Sequence, residues 1–175
     1  MISYYKKFHL LKITHLILIF LITYSVEGFC MSLLNKPEEE VVLCSPMEGT
    51  ITLNKKPAIG AKIERLIKWK DNTGENDITL TDDHGKFKLP LKKEKATLSK
   101  ISQFVVAQEI RVYYQDEEYL IWTMGKMSKK LYGELNGKPL NFHCELTDED
   151  ESLRFENSLL VTKCKWDSIE PQTGE

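Results

Sequence analysis

The cysteines are the residues of this sequence whose type and spacing most directly imply chemistry, and that chemistry is disulfide formation. There are four, Cys30, Cys44, Cys144 and Cys164, and in an exported protein an even number favours disulfides. Cys144 and Cys164 each take an apolar-face position of a predicted strand. Closing a loop of about 20 residues would stabilise the fold by about 3 kcal/mol. We therefore expect a Cys144–Cys164 disulfide, with two buried free thiols as the alternative.

Other uses of the cysteines have less support in the sequence. A Cys30–Cys44 disulfide stays open, although Cys30 would lie in an N-terminal connecting stretch. There is no Cys-x-x-Cys pair, and His143 points away from its neighbour Cys144 because side chains alternate along a strand. We therefore expect no metal site and no cofactor.

The remaining chemically versatile residues do not form a catalytic pattern. His84 lies in a predicted turn and His143 on a polar strand face. The sequence has no Gly-x-Ser-x-Gly nucleophile motif and no glycine-rich phosphate loop. Paired carboxylates such as Asp82 and Asp83 fall in turns, where they indicate solvation or at most loose attraction of calcium. We expect no catalytic residues and no enzymatic activity.

Aromatic side chains are concentrated in one predicted β-hairpin, residues 108–123. Tyr113, Tyr119 and Trp122 are its candidate binding aromatics. Exposed rings of this kind can stack on a sugar or anchor a protein partner. The alternative is that half of the aromatic group packs inward as core.

Residues 1–28 have the three parts of a signal peptide. Three lysines form a positively charged start, residues 16–22 are a continuous apolar run, and small residues allow cleavage after Ser25 or Gly28. The apolar run is short for a bilayer span, which needs roughly 20 residues. We expect a periplasmic or secreted protein.

Two alternatives for the N-terminal segment stay open. An uncleaved segment would anchor the protein in the membrane through residues 13–24. Translation from Met31 would instead produce a cytoplasmic protein without the segment.

The charge balance argues against nucleic acid as a partner. All 26 acidic residues lie at or after Glu27, so the chain that follows cleavage after Ser25 carries 21 basic and 26 acidic groups, a net charge of −5. Binding to a phosphate backbone requires clustered Lys and Arg. We therefore expect no nucleic-acid binding.

The elements that must position these residues are strands. Alternation of polar and apolar residues predicts that residues 61–69 place Ala61, Ile63, Arg65, Ile67 and Trp69 on one face. On the strand that returns after the hairpin turn at residues 71–74, we expect Ile78 and Leu80 to point inward. Leu140, Phe142, Cys144 and Leu146 share one face of a later strand, as do Leu160, Thr162, Cys164 and Trp166.

The same patterns delimit the domain. We predict a linker at residues 29–40, one β-sandwich domain at 41–168 and a disordered tail at 169–175. Within the domain, the lysine-rich residues 92–100 are expected to form a solvated loop, and residues 125–139 are loop-like because of their Gly and Pro content.

Turn-forming residues are the most specific pattern in the chain. Gly49 precedes an alternating strand, Pro57 and Gly60 frame a turn, and Asp82 with Gly85 forms a tight turn. Asp82 can accept hydrogen bonds from following backbone amides, while Gly85 tolerates the left-handed conformation.

These residues resemble a known family. Gly49-Thr50-Ile51, Pro57-x-x-Gly60-Ala61-x-Ile63 and Thr81-Asp82-x-x-Gly85-x-Phe87 resemble the carboxypeptidase-regulatory-like family of the transthyretin-like superfamily. The resemblance implies a single transthyretin-like (prealbumin-like) β-sandwich of about seven or more strands, without catalysis.

A second resemblance covers the later part of the chain. The segments 111–114 and 119–122, with the two late cysteines, look like an uncharacterised bacterial domain family. Two enzyme groups built on related sandwiches do not match. Hydroxyisourate hydrolases carry a C-terminal Tyr-Arg-Gly-Ser signature, which this chain lacks, and intradiol dioxygenases bind iron through Tyr and His residues that have no counterpart here.

The sequence therefore predicts a non-catalytic exported β-sandwich that binds a protein or an envelope component. A toxin-immunity or accessory protein is one form of this hypothesis, since an acidic surface suits a basic partner. The alternative is a carbohydrate-binding module that uses the aromatics of the 108–123 hairpin.

Overall fold

The computed structural model of the chain describes residues 37–70, 74–98, 103–155 and 158–166. The predicted signal peptide, Cys30, the hairpin turn at residues 71–73 and the predicted tail lie outside the described residues. Among those described, no helix is long and apolar enough to cross a membrane.

The predicted all-β class is confirmed. The described residues form thirteen strands and a short 3₁₀ helix at Gly133–Leu135. In chain order the strands are β1 (Glu39–Cys44), β2 (Met47–Leu53), β3 (Lys56–Pro57), β4 (Lys62–Lys68), β5 (Glu75–Leu80), β6 (Lys86–Leu89), β7 (Lys92–Ala96), β8 (Val106–Tyr114), β9 (Glu117–Lys126), β10 (Leu140–Glu145), β11 (Glu151–Phe155), β12 (Ser158–Thr162) and β13 (Cys164–Lys165).

Two larger sheets make a sandwich-like arrangement. The six-stranded sheet has the order β11-β12-β9-β8-β4-β5, and its paired strands are antiparallel. The five-stranded sheet has the order β13-β10-β2-β3, with β6 also paired to β2, and β2 and β10 run parallel. Strands β1 and β7 form a separate antiparallel pair.

Aromatic side chains from both sheets meet in the core. Trp122 of β9 stacks on Phe142 of β10, with ring centroids 5.8 Å apart. The ring centroid of Phe87, on β6, is also 5.8 Å from that of Phe142. Trp166 packs edge-on against both Trp122 and Phe142. Gly49 pairs with Phe142 and Phe87 in the sheet, and a β-carbon there would lie 2.4 Å from the Phe142 carbonyl oxygen. A side chain at Gly49 is therefore sterically excluded.

The turn residues singled out in the sequence join neighbouring segments. Asp82 Oδ1 accepts hydrogen bonds from the backbone amides of His84 and Lys86, both at 2.8 Å. Gly85 has a φ of 72°, and its carbonyl accepts a bond from the Ile51 amide. The Ala58 amide, one residue after Pro57, donates to the Ile51 carbonyl. The turn at 82–85 and the loop after Pro57 are thus both hydrogen-bonded to β2.

Three expectations about segments are wrong in detail. Residues 92–96 form strand β7 instead of a solvated loop, because β1 offers it an antiparallel partner with complementary charge; Lys93 pairs with Glu40 at 3.0 Å. The predicted linker already enters β1 at Glu39. Strand β9 continues to Lys126, inside the predicted loop.

The last predicted strand is two strands in different sheets. β12 belongs to the six-stranded sheet and β13 to the five-stranded sheet, and the chain crosses at Lys163. The crossing brings Cys164 opposite Cys144 on β10, and the predicted disulfide between them is present, with the α-carbons 4.1 Å apart. It closes a loop that contains the β11–β12 hairpin.

Candidate functional site

The residue that organises the candidate site is Arg65, on the otherwise apolar face of β4. Its side chain is fully buried, so its charge and its donors need partners within the protein. Nε donates to Asp77 Oδ2 at 3.1 Å, and Nη2 donates to the same carboxylate oxygen and to the Pro90 carbonyl at 2.7 Å. Nη1 lies 3.5 Å from Cys44 Sγ and from the Ser45 carbonyl oxygen.

Asp77, on the neighbouring strand β5, is the counter-ion of Arg65. Arg65 and Asp77 are directly opposite each other in the β4–β5 ladder, so they share the inner face. Lys92 Nζ also approaches Asp77 Oδ1, at 3.0 Å. Desolvation opposes ionisation of Asp77, but the hydrogen bonds from Arg65 and Lys92 outweigh it and lower the pKa of the carboxyl.

This pairing reverses the predicted orientation of β5. Since Asp77 points inward, its neighbours on the strand must point outward. Ile78 is 61% exposed and Leu80 63% exposed, so the expectation that they face the core is wrong. Alternation identified the two faces of β5 correctly, but the polar face is the inner one because it supplies the counter-ion for Arg65.

β5 is also the last strand of its sheet on this side among the described strands. The Thr81 amide donates to the Ala61 carbonyl at 3.0 Å, directed towards the β4 side. Backbone groups alternate in direction along an antiparallel strand, so those of Thr79 and Asp77 also face β4. The amides and carbonyls of Ile78 and Leu80 therefore point out of the sheet, and we call these two residues with their backbone groups the β5 edge.

Charged residues beside the β5 edge neutralise one another. On the outer face, Lys62 is 3.6 Å from Glu64. Arg111 on β8 contacts both Glu109 and Glu118 at 2.9 Å. Edge strands are often protected by charged side chains, but the charge of Asp77 is already satisfied by Arg65 and Lys92. The β5 edge is consequently apolar, and the charged side chains named above are paired with one another.

The hairpin aromatics do not form a shared exposed platform. Trp122 is fully buried in the core, which contradicts its assignment as an exposed binding residue. The reason is a β-bulge: Ile110 pairs with Trp122 and Arg111 with Leu120, so Ile121 is an extra residue. The bulge shifts the inward–outward alternation by one position and lets both Ile121 and Trp122 point inward.

The two tyrosines occupy different surroundings. The Tyr113 ring, on the outer face, has Lys62 Nζ 4.1 Å from its centroid. Tyr119 is half-buried and packs against the core. The hairpin tip holds a shallow cavity of about 540 Å³, lined by Tyr113, Tyr114, Gln115, Asp116, Glu117 and Glu118.

The histidines and the free cysteine are separated. His84 and His143 are exposed on a turn and on β10 respectively. Cys44 is a buried free thiol, and burial raises its pKa to about 12, although Arg65 acts in the opposite direction. Within the described residues, no three His, Cys, Asp or Glu side chains converge as metal ligands would.

A buried polar cluster beside Arg65 was not predicted from the sequence. Lys126 and Glu134 are both fully buried, with Nζ and Oε1 3.3 Å apart. The Glu134 carboxylate also accepts bonds from the Ser45 amide and hydroxyl and from Gln108 Nε2. Lys126 Nζ donates to the Val42 and Lys130 carbonyls. The ion pair holds the segment after β9 against β1, and Lys126 and Glu134 lie in a stretch where polar residues ordinarily indicate a loop.

The comparisons with known proteins identify a family for the central part of the chain. A family model described as a domain of unknown function, DUF6795, matches residues 47–149. No curated protein and no solved structure matches the chain significantly. The matched range runs from β2 to the turn after β10 and includes Arg65, Asp77 and the β5 edge. Because it covers more than half of the sequence, this chain belongs to the DUF6795 family.

Proposed function

We propose that this protein is a non-catalytic, exported β-sandwich module of the transthyretin-like kind that binds another protein through its β5 edge. The observation that carries the proposal is the outward orientation of Ile78 and Leu80 on a strand at the end of its sheet. An edge strand with exposed apolar side chains is a ready template for an added strand.

The energetics of such an edge favour a protein partner over a small molecule. Covering two large aliphatic side chains that are mostly exposed contributes on the order of 1–2 kcal/mol each. An incoming strand would also pair with the backbone groups of Ile78 and Leu80. A main-chain strand provides both kinds of contact, whereas small ligands are ordinarily held in concave pockets.

The disulfide supports the exported part of the proposal. Structural disulfides form and persist mainly in oxidising compartments, and Cys144 and Cys164 are joined. Together with the signal-peptide pattern of residues 1–28, this bond supports a periplasmic or secreted location.

Site-specific photo-crosslinking in the cells that make the protein tests the proposal. We would place a photoreactive residue at position 80, and at position 159 as the matched control, since Leu159 is also exposed, at 49%, but lies on β12. The expected result is an adduct of defined mass at position 80 that is missing at position 159. The adduct should disappear when Ile78→Lys places a charge in the edge.

The proposal would be overturned by either of two results. One is the absence of any adduct at position 80 while the protein is folded and abundant. The other is the same adduct at both positions, which would show that the crosslinking does not depend on the β5 edge.

A further inference from the structure

The β5 edge can pair with the β5 edge of a second copy of the chain, because both its backbone groups and its apolar side chains match their own symmetry mates. Two strands related by a two-fold axis perpendicular to the sheet pair antiparallel and keep their inner and outer faces aligned. The outward-facing backbone groups of β5 include those of Ile78 and Leu80, two residues apart. They can therefore form reciprocal hydrogen bonds with the same two residues of a second copy, if the axis passes through Thr79.

The side chains favour this register. With the axis at Thr79, Ile78 lies opposite Leu80 of the second copy, and Leu80 lies opposite Ile78 of the second copy. All four exposed aliphatic side chains then meet on the outer face. An axis at Ile78 would instead place Leu80 opposite Asn76, whose side-chain amide donates to Glu64 Oε1 at 2.9 Å, so an apolar group would cover a polar contact.

The charges next to the edge agree with the same register. On β4, Lys62 is paired with Leu80 and Glu64 with Ile78. An axis at Thr79 aligns the cross-strand row containing Lys62 with the row containing Glu64 of the second copy. An axis at Ile78 would align the two Glu64 rows, and an axis at Leu80 the two Lys62 rows. Across the interface these charges lie three strand spacings apart, roughly 14 Å, and Lys62 and Glu64 are already paired within each copy. The apolar pairing of Ile78 with Leu80 is therefore what selects the register centred on Thr79.

We infer that the partner of the β5 edge is a second copy of this chain, joined by antiparallel β5–β5 pairing centred on Thr79. The two six-stranded sheets then continue across the interface as one sheet. This inference rests on the proposed function, because it names the partner of the same edge. It makes the protein a symmetric dimer whose remaining surface is presented twice.

Sedimentation equilibrium of the purified full chain tests the assembly. The wild-type protein and the Leu159→Lys control are expected to sediment as dimers. Ile78→Lys and Leu80→Lys are expected to sediment as monomers, with circular dichroism spectra unchanged from wild type. A wild-type protein that stays monomeric up to millimolar concentration would overturn the inference, as would a dimer that both edge variants leave intact.

Oxidative crosslinking tests the register. Each variant also carries Cys30→Ser, so that Cys30 cannot form the crosslink. Thr79→Cys is expected to give a covalent dimer on a non-reducing gel, because the Thr79 residues would face each other as a non-hydrogen-bonded pair with α-carbons about 4.5 Å apart. Faster crosslinking of Ile78→Cys than of Thr79→Cys would overturn the register.

The mass of the photo-adduct at position 80 separates the two proposals. An adduct of twice the chain mass supports the dimer. An adduct of any other mass, together with a monomeric purified protein, would overturn the dimer and leave the binding role of the edge standing. No adduct and no dimer would overturn both.

Discussion

At the scale of single residues, buried charges explain where strands and loops are held. Lys126 and Glu134 are fully buried together, and Arg65 is buried against Asp77. Desolvation of a buried ion costs several kcal/mol, and the partner and the surrounding hydrogen bonds must offset it. Desolvation lowers the pKa of Lys126, while Glu134 opposes that effect. Each of these side chains therefore constrains the segment that supplies its partner.

Removing one member of the Lys126–Glu134 pair should be costly because the other charge stays buried. We expect Lys126→Met to lower the free energy of unfolding by about 3 kcal/mol. The double variant Lys126→Met/Glu134→Gln should lose less than the sum of the two single variants, since no unpaired charge remains. Urea unfolding of the four proteins measures both effects.

Lys129 provides the matched control for this cycle. It pairs with Glu39 at 2.7 Å, but both side chains are more than two-fifths exposed. Exposed pairs contribute little, so Lys129→Met should change the free energy of unfolding by less than about 0.5 kcal/mol. Equal costs for Lys126→Met and Lys129→Met would contradict the role assigned to the buried pair.

At the scale of elements, the β2–β3 turn depends on a carboxylate from another strand. Asn54 and Lys55 have φ values of 52° and 62°, a conformation that non-glycine residues adopt at some cost. Glu145, the last residue of β10, accepts hydrogen bonds from both of their amides, at 2.9 and 2.8 Å. Thr52 and Thr147 donate to the same carboxylate. The turn is thus stabilised by a residue about ninety positions away.

The protonation of Glu145 should therefore appear in the acid stability of the protein. Desolvation acts to raise its pKa, but the hydrogen bonds from Lys55, Thr147 and Thr52 lower it from 4.5 to about 2. Because the folded-state pKa is the lower one, this stabilisation is complete above pH 4.5 and is lost as the pH falls towards 2. Glu145→Gln should remove this contribution to the pH dependence and cost about 1 kcal/mol at neutral pH.

Urea unfolding at a series of pH values compares Glu145→Gln with wild type. Glu117→Gln, at the exposed first position of β9, serves as the control and should follow the wild-type profile. If Glu145→Gln and wild type lost stability in parallel between pH 4.5 and 2, the carboxylate would not act as described.

At the scale of the whole molecule, the disulfide and the proposed export are linked, because structural disulfides persist mainly in oxidising compartments. The Cys144–Cys164 bond ties β10 to β13 at the end of the described chain. Replacing both cysteines by serine should cost about 3 kcal/mol for a loop of this length. The same bond would be reduced in a cytosolic environment.

Intact mass of the protein expressed from its own start codon measures processing and thiol state at once. We expect a chain that begins at residue 26 or 29. Under denaturing alkylation without reductant, Cys44 should react, whereas Cys144 and Cys164 should react only after reduction. A chain that begins at Met31 with all thiols reactive would contradict both export and the disulfide.

Several features of the fold followed from local pattern. The all-β class, the inward faces of β4 and β10 and the turn at Asp82 were predictable because strand alternation and turn chemistry are encoded by neighbouring residues. The disulfide was predictable because both cysteines occupy apolar-face positions on strands. Even the placement of Arg65 on the inner face of β4 was readable from its spacing.

Other features were decided by contacts between residues far apart in the sequence. Arg65 required a counter-ion, so Asp77 turned inward and the alternation of β5 was assigned to the wrong faces. The bulge at Ile121 became visible only in the pairing of β9 with β8, and it buried Trp122. The lysines of β7 formed a strand because β1 lay beside them.

On β5, the sequence by itself thus determined which residues share a face, while the tertiary structure decided which face is inside. The physical reason is that period-two alternation is symmetric: it carries no information about which side meets the core when both faces hold polar and apolar groups. On β5 the inner face was decided by Arg65, because its buried guanidinium needs the carboxylate of Asp77 as a counter-ion. That choice left Ile78 and Leu80 at the surface, where the proposed interface lies.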